Sequence, residues 1–191
     1  MEKILPEIQQ RRARRALSSQ EIPDELLQRL LQAATLSASC FNNQPWRFVV
    51  LKKDFGIALA HARLSQGNYW AKTAPVIIGV ATRPDYDCEL DEGRQYALFD
   101  CGMAVQNLQI QAQHEGLVAH PIAGFKAAEL KEDLGIPADH ILITLVVIGY
   151  PGTDNELNDK HQELESSERV RKGLDEVVFP GTWPAQSRSA E

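Results

Sequence analysis

The sequence is poor in cysteine and has no long apolar run. Its three cysteines in 191 residues, Cys40, Cys88 and Cys101, include no C-x-x-C pair. This odd and widely spaced set predicts neither a disulfide framework nor a cysteine-based zinc site, and it fits a reducing cytoplasm. The longest apolar run, 141–148, is less than half of a membrane span, and the N-terminus lacks the apolar core of a secretory signal. We therefore expect a soluble, cytoplasmic protein.

The common catalytic and nucleotide-binding motifs are also missing. The sequence contains no G-x-S-x-G, no H-E-x-x-H, no G-x-G-x-x-G and no P-loop. Its five histidines lack the spacing of zinc ligands, and His120, in a predicted strand, is expected to be a hydrogen-bonded or partly exposed side chain. A chain without its own acid, base or nucleophile set needs a cofactor to perform chemistry.

Composition and charge narrow the function further. Hydrophobic residues at 43% and charged residues at 24% are close to globular averages, and the length fits one domain over 1–191. The net charge of −6 argues against general nucleic-acid binding. Positive charge is nevertheless clustered near both ends, at Arg11, Arg12, Arg14, Arg15, Arg169, Arg171 and Lys172. These clusters are either two solvated runs or one anion site built by both ends of the chain.

Hydrophobic periodicity predicts alternating helices and strands. Helices are predicted from 22 to about 37, over 54–65, over 91–115 and shortly before 135, and strands over 46–51, 76–81, 117–122 and 141–149. The tail after 150–151 is polar and acidic, and it buries too little apolar surface to fold alone. We expect it to lie along the body or to wrap a partner. The alternation favours an α/β or α+β architecture with a helix-covered sheet.

Five segments resemble motifs of the nitroreductase family, in that family's order. They are 11–17 (RRARRAL) with the helix start after it, 38–48 (ASCFNNQPWRF), 120–125 (HPIAGF), 145–151 (LVVIGYP) and 169–178 (RVRKGLDEVV). The resemblance implies an α+β fold with a mixed central sheet flanked by helices. It also implies FMN as cofactor and an intertwined homodimer, in which 151–191 forms an arm around the partner subunit.

The resemblance also implies which residues contact the flavin. The positions for its phosphate and ribityl chain are Arg11, Arg12, Ala13, Arg15, Arg169 and Arg171. The loop that a second subunit contributes to the flavin contains Ala38, Ser39, Cys40 and Asn42. The residues that approach the pyrimidine edge and the N5 region of the flavin are Asn68, Ala123 and Gly124. Guanidinium groups suit a phosphate because they bind it through two parallel hydrogen bonds. Three positions depart from the family pattern, because Ala13 replaces Ser and both Ala38 and Gly173 replace Pro. For Cys40 a packed thiol is favoured over a redox role, since no partner cysteine is apparent.

The implied reaction is a two-electron transfer in two halves. NADH or NADPH delivers a hydride to flavin N5 and leaves, and an aromatic oxidant such as a nitro compound or a quinone then binds over the same face. No side chain is assigned a catalytic role, so the protein supplies positioning and water exclusion. Two alternatives stay open: the same fold with dehalogenating or flavin-fragmenting chemistry, and a flavin- or phosphate-binding dimer with little turnover. The expected partners are a second copy and a small aromatic acceptor, without nucleic acid or membrane.

Overall fold

A computed structural model describes residues 3–184 of the chain. The helices are α1 (Pro6–Gln10), α2 (Asp24–Thr35), α3 (Ile57–Arg63), α4 (Tyr96–His114), α5 (Ala127–Asp133), α6 (Asp159–Ser166) and α7 (Leu174–Val177). The strands are β1 (Arg47–Lys52), β2 (Val76–Thr82), β3 (Val118–Ile122) and β4 (Ile141–Gly149). None of the helices in residues 3–184 combines the length and hydropathy that crossing a bilayer requires.

The four strands form one sheet in the order β1-β2-β4-β3, and the predicted α+β architecture is confirmed. The sheet is not mixed, as the resemblance implied, because each strand pair in the described part of the chain is antiparallel. The reason is visible between β1 and β2, where Lys52 at the end of β1 pairs with Val76 at the start of β2. The connection over 53–75 therefore leaves and re-enters the sheet at the same end of the two strands. A parallel pair would require a connection that runs back to the opposite end of the sheet.

The core lies on both faces of this sheet. Every residue of β2 is buried, and alternate side chains point to opposite faces. Ile77 packs in a cluster that includes residues of α3 and α5. Ile78 packs in a second cluster, with residues of α2 and α4. Two-sided burial explains why β2 and β4 appear in the sequence as nearly continuous apolar runs rather than alternating ones.

Two predicted helices are shorter than expected for a backbone reason. The 91–115 helix begins only at Tyr96, because Glu92 and Gly93 have positive φ angles of 62° and 70° and form a turn. The 54–65 helix begins at Ile57, after Gly56 with φ of 78°. Left-handed residues cannot continue an α-helix. The expected break after residue 65 is instead a stretch of 3₁₀ turns, Gln66–Thr73.

The two ends of the chain meet at the start of the C-terminal arm. Ser18 N–H donates to the Tyr150 carbonyl, and Gly152 N–H donates to the Ala16 carbonyl, each at 2.9 Å. Beyond this contact the arm carries α6 and α7 and exposes apolar side chains, among them Val170, Leu174 and Trp183. Residues 185–191 of the predicted arm lie outside the described part of the chain.

Candidate flavin site

Arginines from the two ends of the chain come together beside α1. The Arg169 guanidinium donates hydrogen bonds to the carbonyl groups of Ile8 and Arg11. The Arg12 guanidinium donates in turn to the Ser167 carbonyl. We call Arg11, Arg12, Arg169 and Arg171 the arginine cluster. The structure thus brings together residues that are separated by more than 150 positions in the sequence.

The electrostatics of the arginine cluster favour an anion. Burial of the half-buried Arg11 side chain lowers its pKa, and the positive charges of Arg169 and Arg171 lower it further. The part of this shift that comes from Arg169 and Arg171 is a repulsion between like charges, which a bound anion would relieve. A phosphate dianion matches guanidinium groups in charge and in hydrogen-bonding geometry. The residues present therefore fit the phosphate of the implied FMN.

Glu165, which the sequence did not indicate, holds the chain next to the arginine cluster. It lies on α6, and its side chain is only 7% exposed. Its Oε1 accepts a hydrogen bond from Arg15 N–H at 2.5 Å, and its Oε2 lies 3.7 Å from Arg14 Nη1. The Arg15 guanidinium carbon lies 6.0 Å from the centre of the Trp70 ring. Glu165 fixes the backbone so that the Arg15 side chain extends toward Trp70.

His120 on β3 contacts the same segment, at Arg14. Its Nδ1–H donates to the Arg14 carbonyl at 2.9 Å, and its ring stacks on Trp70 with centroids 4.7 Å apart. Burial lowers the pKa of His120 to about 4, and the charges of Arg15 and Arg11 contribute to this, against the hydrogen bond to Arg14. His120 is therefore a neutral, hydrogen-bonded side chain at neutral pH, as the sequence predicted.

Asn68 and Gly124 meet at the end of β3. Asn68 Nδ2 donates to the Gly124 carbonyl at 2.8 Å, and Ser65 N–H donates to the same oxygen at 3.0 Å. A Cβ added at Gly124 would lie 2.5 Å from Ser65 Oγ and 2.7 Å from Asn68 Nδ2. The neighbouring Ala123 is exposed. The turn thus needs a residue without a side chain, and it presents small groups where the resemblance places the flavin ring.

We expect Gly124→Ala to disturb this turn without unfolding the protein. The added methyl group displaces the Asn68 amide and the Ser65 hydroxyl, which breaks one hydrogen bond worth about 1 kcal/mol. The expected result is a loss of about 1 kcal/mol in the free energy of unfolding and an FMN affinity lowered about fivefold. Urea unfolding and fluorescence titration with FMN measure the two effects. Gly67→Ala is the control, because a Cβ there meets no atom within 4 Å; equal losses in both variants would contradict the close approach at Gly124.

The loop over residues 38–44, called here the 38–44 loop, is bonded to other parts of the chain than these groups. It carries the predicted flavin residues Ala38, Ser39, Cys40 and Asn42. Cys40 N–H donates to Asp100 of α4 at 2.8 Å, and the Ser39 hydroxyl accepts from Gln44 N–H at 3.0 Å. Within the described residues its hydrogen bonds do not reach the arginine cluster. Within one chain, the arginines lie near one another and Asn68 contacts Gly124. The third predicted group, the 38–44 loop, is hydrogen-bonded to α4 instead.

The prediction that Cys40 is a packed thiol is wrong. Cys40 forms a disulfide with Cys88, whose Cα lies 6.2 Å away. The two residues are 48 positions apart, and this spacing does not predict a disulfide. They are paired because the fold brings the 38–44 loop next to the segment that follows the 3₁₀ turn Pro84–Tyr86. Cys101 remains a free thiol in the core.

One departure from the family pattern has a local use. Gly173 N–H donates to the Glu176 carboxylate at 2.8 Å, just before α7. A proline at this position has no N–H and could not make this contact. Ala13 is exposed, and nothing in the structure explains why it replaces Ser.

Two cavities are candidates for the ligand site. A cavity of about 240 Å³ is lined by Arg15, Tyr69, Trp70 and Lys72, among others, and so adjoins the predicted flavin residues. A larger one of about 680 Å³ is lined by residues near the start of α2, the end of β1 and α3, and includes none of them. The smaller cavity is the relevant one, since chemistry and not size identifies a site.

Comparisons with known proteins identify relatives of the chain. A family model described as the nitroreductase family matches residues 8–66 and 57–150, more than half of the chain. A solved oxidoreductase containing FMN is 33% identical with a TM-score of 0.84, and the match covers 95% of this chain and 93% of that one. A provisionally assigned nitroreductase of Desulfovibrio desulfuricans, solved in complex with FMN, is 25% identical with a TM-score of 0.74, covering 93% and 96%. A protein of Archaeoglobus fulgidus, provisionally named NADH dehydrogenase/NAD(P)H nitroreductase, is 27% identical over 164 residues, 82% of this chain and 90% of its own.

Proposed function

Since the chain belongs to the nitroreductase family of oxidoreductases, we propose that it binds FMN and passes electrons from NADH or NADPH to a small aromatic acceptor, such as a nitro compound or a quinone. The observation that carries this proposal is the arginine cluster, in which Arg169 and Arg171 place positive charge beside the half-buried Arg11. FMN in the solved relatives supports the choice of anion. When bound, the flavin ring would supply the two-electron redox chemistry that the side chains lack.

The arginine cluster is proposed to hold the FMN phosphate. Arg11 and Arg171 are the candidates for direct contact. The Arg169 guanidinium donates to two carbonyl groups of the N-terminal segment and fixes the two segments to each other, whereas Arg171 donates from Nη1 to the carbonyl of the adjacent Val170 and has further N–H groups to offer. Hydrogen bonds between guanidinium and phosphate are charge-assisted and about twice as strong as neutral ones. The chain thus supplies a positively charged site for the phosphate.

Arg15 and the turn at 123–124 are proposed to orient the flavin ring. Glu165 fixes the backbone at Arg15, and the neutral His120 supports the carbonyl of the preceding residue. Asn68 holds Gly124 by its carbonyl, which leaves small groups facing the ring. Rigid positioning of this kind brings donor and acceptor molecules to within reacting distance.

A second copy of the chain is proposed to complete the site. The 38–44 loop does not reach the arginine cluster of its own chain, and Phe41 at its tip is 92% exposed. The arm exposes Leu174 and Trp183, and α4 exposes Phe99. Apolar surface of this kind is buried in homodimers. We infer an intertwined, cytoplasmic homodimer in which the loop and the arm meet the partner, and the acceptor binds in the apolar cleft between the two copies.

The spectrum of the purified protein tests the cofactor directly. After reconstitution with FMN and removal of free ligand, we expect visible flavin absorption bands and oxidation of NADPH with ping-pong kinetics. A protein that retains no flavin would contradict the proposal. Consumption of the flavin under oxygen would favour flavin-fragmenting chemistry, and retained flavin without NADPH oxidation would favour a binding dimer.

Arg15→Ala tests the residue assignment. The loss of one charge-assisted hydrogen bond, worth about 1.5 kcal/mol, should lower the FMN affinity about tenfold. Arg14→Ala is the matched control, because it removes the same charge at the neighbouring position, where the side chain is 45% exposed and paired with Glu165. Fluorescence titration of both variants measures the difference. An unchanged affinity in Arg15→Ala would mean that this arginine does not contact the flavin.

A further inference from the structure

Cys40 and Cys88 join two surface segments through a disulfide. Cys40 lies in the 38–44 loop, and Cys88 follows the 3₁₀ turn Pro84–Tyr86. Both residues are half-buried rather than enclosed in the core. In reducing compartments, disulfides that form are mostly transient and catalytic or redox-sensing. The accessibility of this pair distinguishes it from the buried Cys101.

Two buried carboxyl groups lie directly beneath the disulfide. Asp100 Oδ2 accepts from Cys40 N–H, and Asp87 Oδ1 accepts from Cys88 N–H, each at 2.8 Å. An Asp87 carboxylate oxygen lies within 4.8 Å of both sulfur atoms. Asp87 Oδ2 and Asp100 Oδ1 are buried, and neither has a hydrogen-bond partner in the described part of the chain. A proton on the Asp100 carboxyl group would turn one of these oxygens into a hydrogen-bond donor.

The environment of Asp100 favours that proton. Burial raises the pKa of Asp100, and the neighbouring Asp87 carboxyl group raises it further, against the hydrogen bond from the Cys40 backbone. Burial and a nearby negative charge both disfavour the charged form of a carboxyl group. Asp100 is therefore the group in which a transferable proton is favoured, next to the backbone of Cys40.

We propose that Cys40 and Cys88 are a redox-active pair, which a dithiol opens and the corresponding disulfide closes, with the Asp87–Asp100 pair as its acid and base. A thiolate of the dithiol attacks one sulfur, the Cys40–Cys88 bond breaks, and the leaving thiolate takes the proton of the carboxyl pair. The second thiol of the reductant then returns a proton to the carboxyl pair and attacks the mixed disulfide, so the second cysteine leaves as a thiolate and takes from solvent the proton that the first thiol of the reductant had released there. Two electrons and two protons have passed from the dithiol to the cysteines.

The redox state of the pair controls how firmly the 38–44 loop is held. Phe41, Asn42 and Gln44 have positive φ angles of 48°, 59° and 51°, which residues other than glycine adopt at a cost. In the closed state the disulfide fixes this backbone to the segment that carries Cys88. In the open state only hydrogen bonds oppose the strain. The proposed function assigns this loop to the flavin of the partner subunit, so any effect on FMN rests on that function.

The exchange is tested on the whole protein in buffers that contain reduced and oxidised dithiothreitol. Alkylation followed by mass spectrometry should label Cys40 and Cys88 after reduction and neither after oxidation, reversibly. Cys101 should stay unlabelled in both states, because burial raises its pKa to about 11 and shields its thiol. A disulfide that opens only in denaturant would overturn the proposal, and so would labelling of Cys40 and Cys88 in both buffers.

Asp100→Asn tests the role of the carboxyl pair. We expect reduction by dithiothreitol to slow on the order of tenfold, which is less than the loss of a perfectly aligned general acid because solvent also supplies protons. Asp91→Asn is the matched control, since it removes an exposed carboxylate from the same surface segment. Equal rates in Asp100→Asn, Asp91→Asn and the unmodified protein would remove the acid–base role.

Hydrogen exchange separates this proposal from the proposed function. Exchange at residues 38–44 should be faster after reduction, and Cys88→Ser should match the reduced protein in either buffer. Unchanged exchange would overturn the control of the loop. Faster exchange with an unchanged FMN affinity would support the redox pair and instead count against the assignment of the loop to the flavin.

Discussion

Replacing Arg11 with alanine is expected to lower the affinity for FMN about 100-fold. Arg11 is half-buried, and the charges of Arg169 and Arg171 act on it, so its hydrogen bonds to a phosphate would be shielded from solvent. Hydrogen bonds to charged groups contribute about 1.5–3 kcal/mol each, and the upper part of that range corresponds to about 100-fold. Fluorescence titration with FMN at low salt measures the change.

The same substitution should leave the protein without FMN at least as stable as before. Removing the Arg11 side chain relieves repulsion within the arginine cluster. If Arg11 instead only supported the fold, truncating it would lower the stability of the protein. The thermal midpoint should therefore hold or rise without FMN, and it should rise less on adding FMN than in the unmodified protein. Arg29→Ala is the control, because Arg29 pairs with Glu115 at 2.8 Å and is not part of the cluster. Loss of stability without FMN, combined with unchanged FMN binding, would refute the phosphate site.

Replacing His120 with asparagine is expected to remove a large pH dependence of stability. The pKa of His120 is lowered from 6.5 to about 4 in the folded protein. Between those two values the unfolded chain binds a proton that the folded protein does not, so stability falls as the pH drops through this window. Above pH 6.5 the contribution is fully present. A shift of this size corresponds to about 3 kcal/mol.

Asparagine is the informative replacement because it keeps a donor for the Arg14 carbonyl and has no titrating group. Urea unfolding between pH 4 and pH 7 gives the free energy of unfolding of both proteins. The difference between the two curves isolates His120, since His61 and His161, whose pKa values are also lowered by burial, remain in both. Parallel curves would show that His120 titrates normally in the folded protein.

Local patterns were sufficient to predict most of the secondary structure. The predicted strands 76–81 and 141–149 are observed as Val76–Thr82 and Ile141–Gly149. An apolar run between turn residues is a local property of the chain, and so is the strand it forms. The start of α4 was missed because a left-handed turn at 92–93 depends on backbone angles that residue types alone do not specify.

The proximity of the arginines from the two ends of the chain was predicted, whereas one of the contacts beside them was not. The order of the motifs brought Arg11 and Arg169 into one hypothesis, and their side chains do lie beside a common backbone segment. Glu165 was missed, because its contacts are with Arg14 and with Arg15, the latter 150 positions away in the sequence. No periodicity reports a contact at that distance. In the sequence, an acidic residue of a helix looks the same whether its side chain is solvated or is buried against another segment of the chain.

The sequence by itself determined the four strands and the central helices to within a few residues of their ends, and which residue types are available. Only the tertiary structure decided that Cys40 faces Cys88 above Asp87 and Asp100, and that the strands run antiparallel throughout the described sheet. The physical reason is that helical and strand preferences act between near neighbours. The partner of a buried side chain is set instead by the path of the whole chain through space.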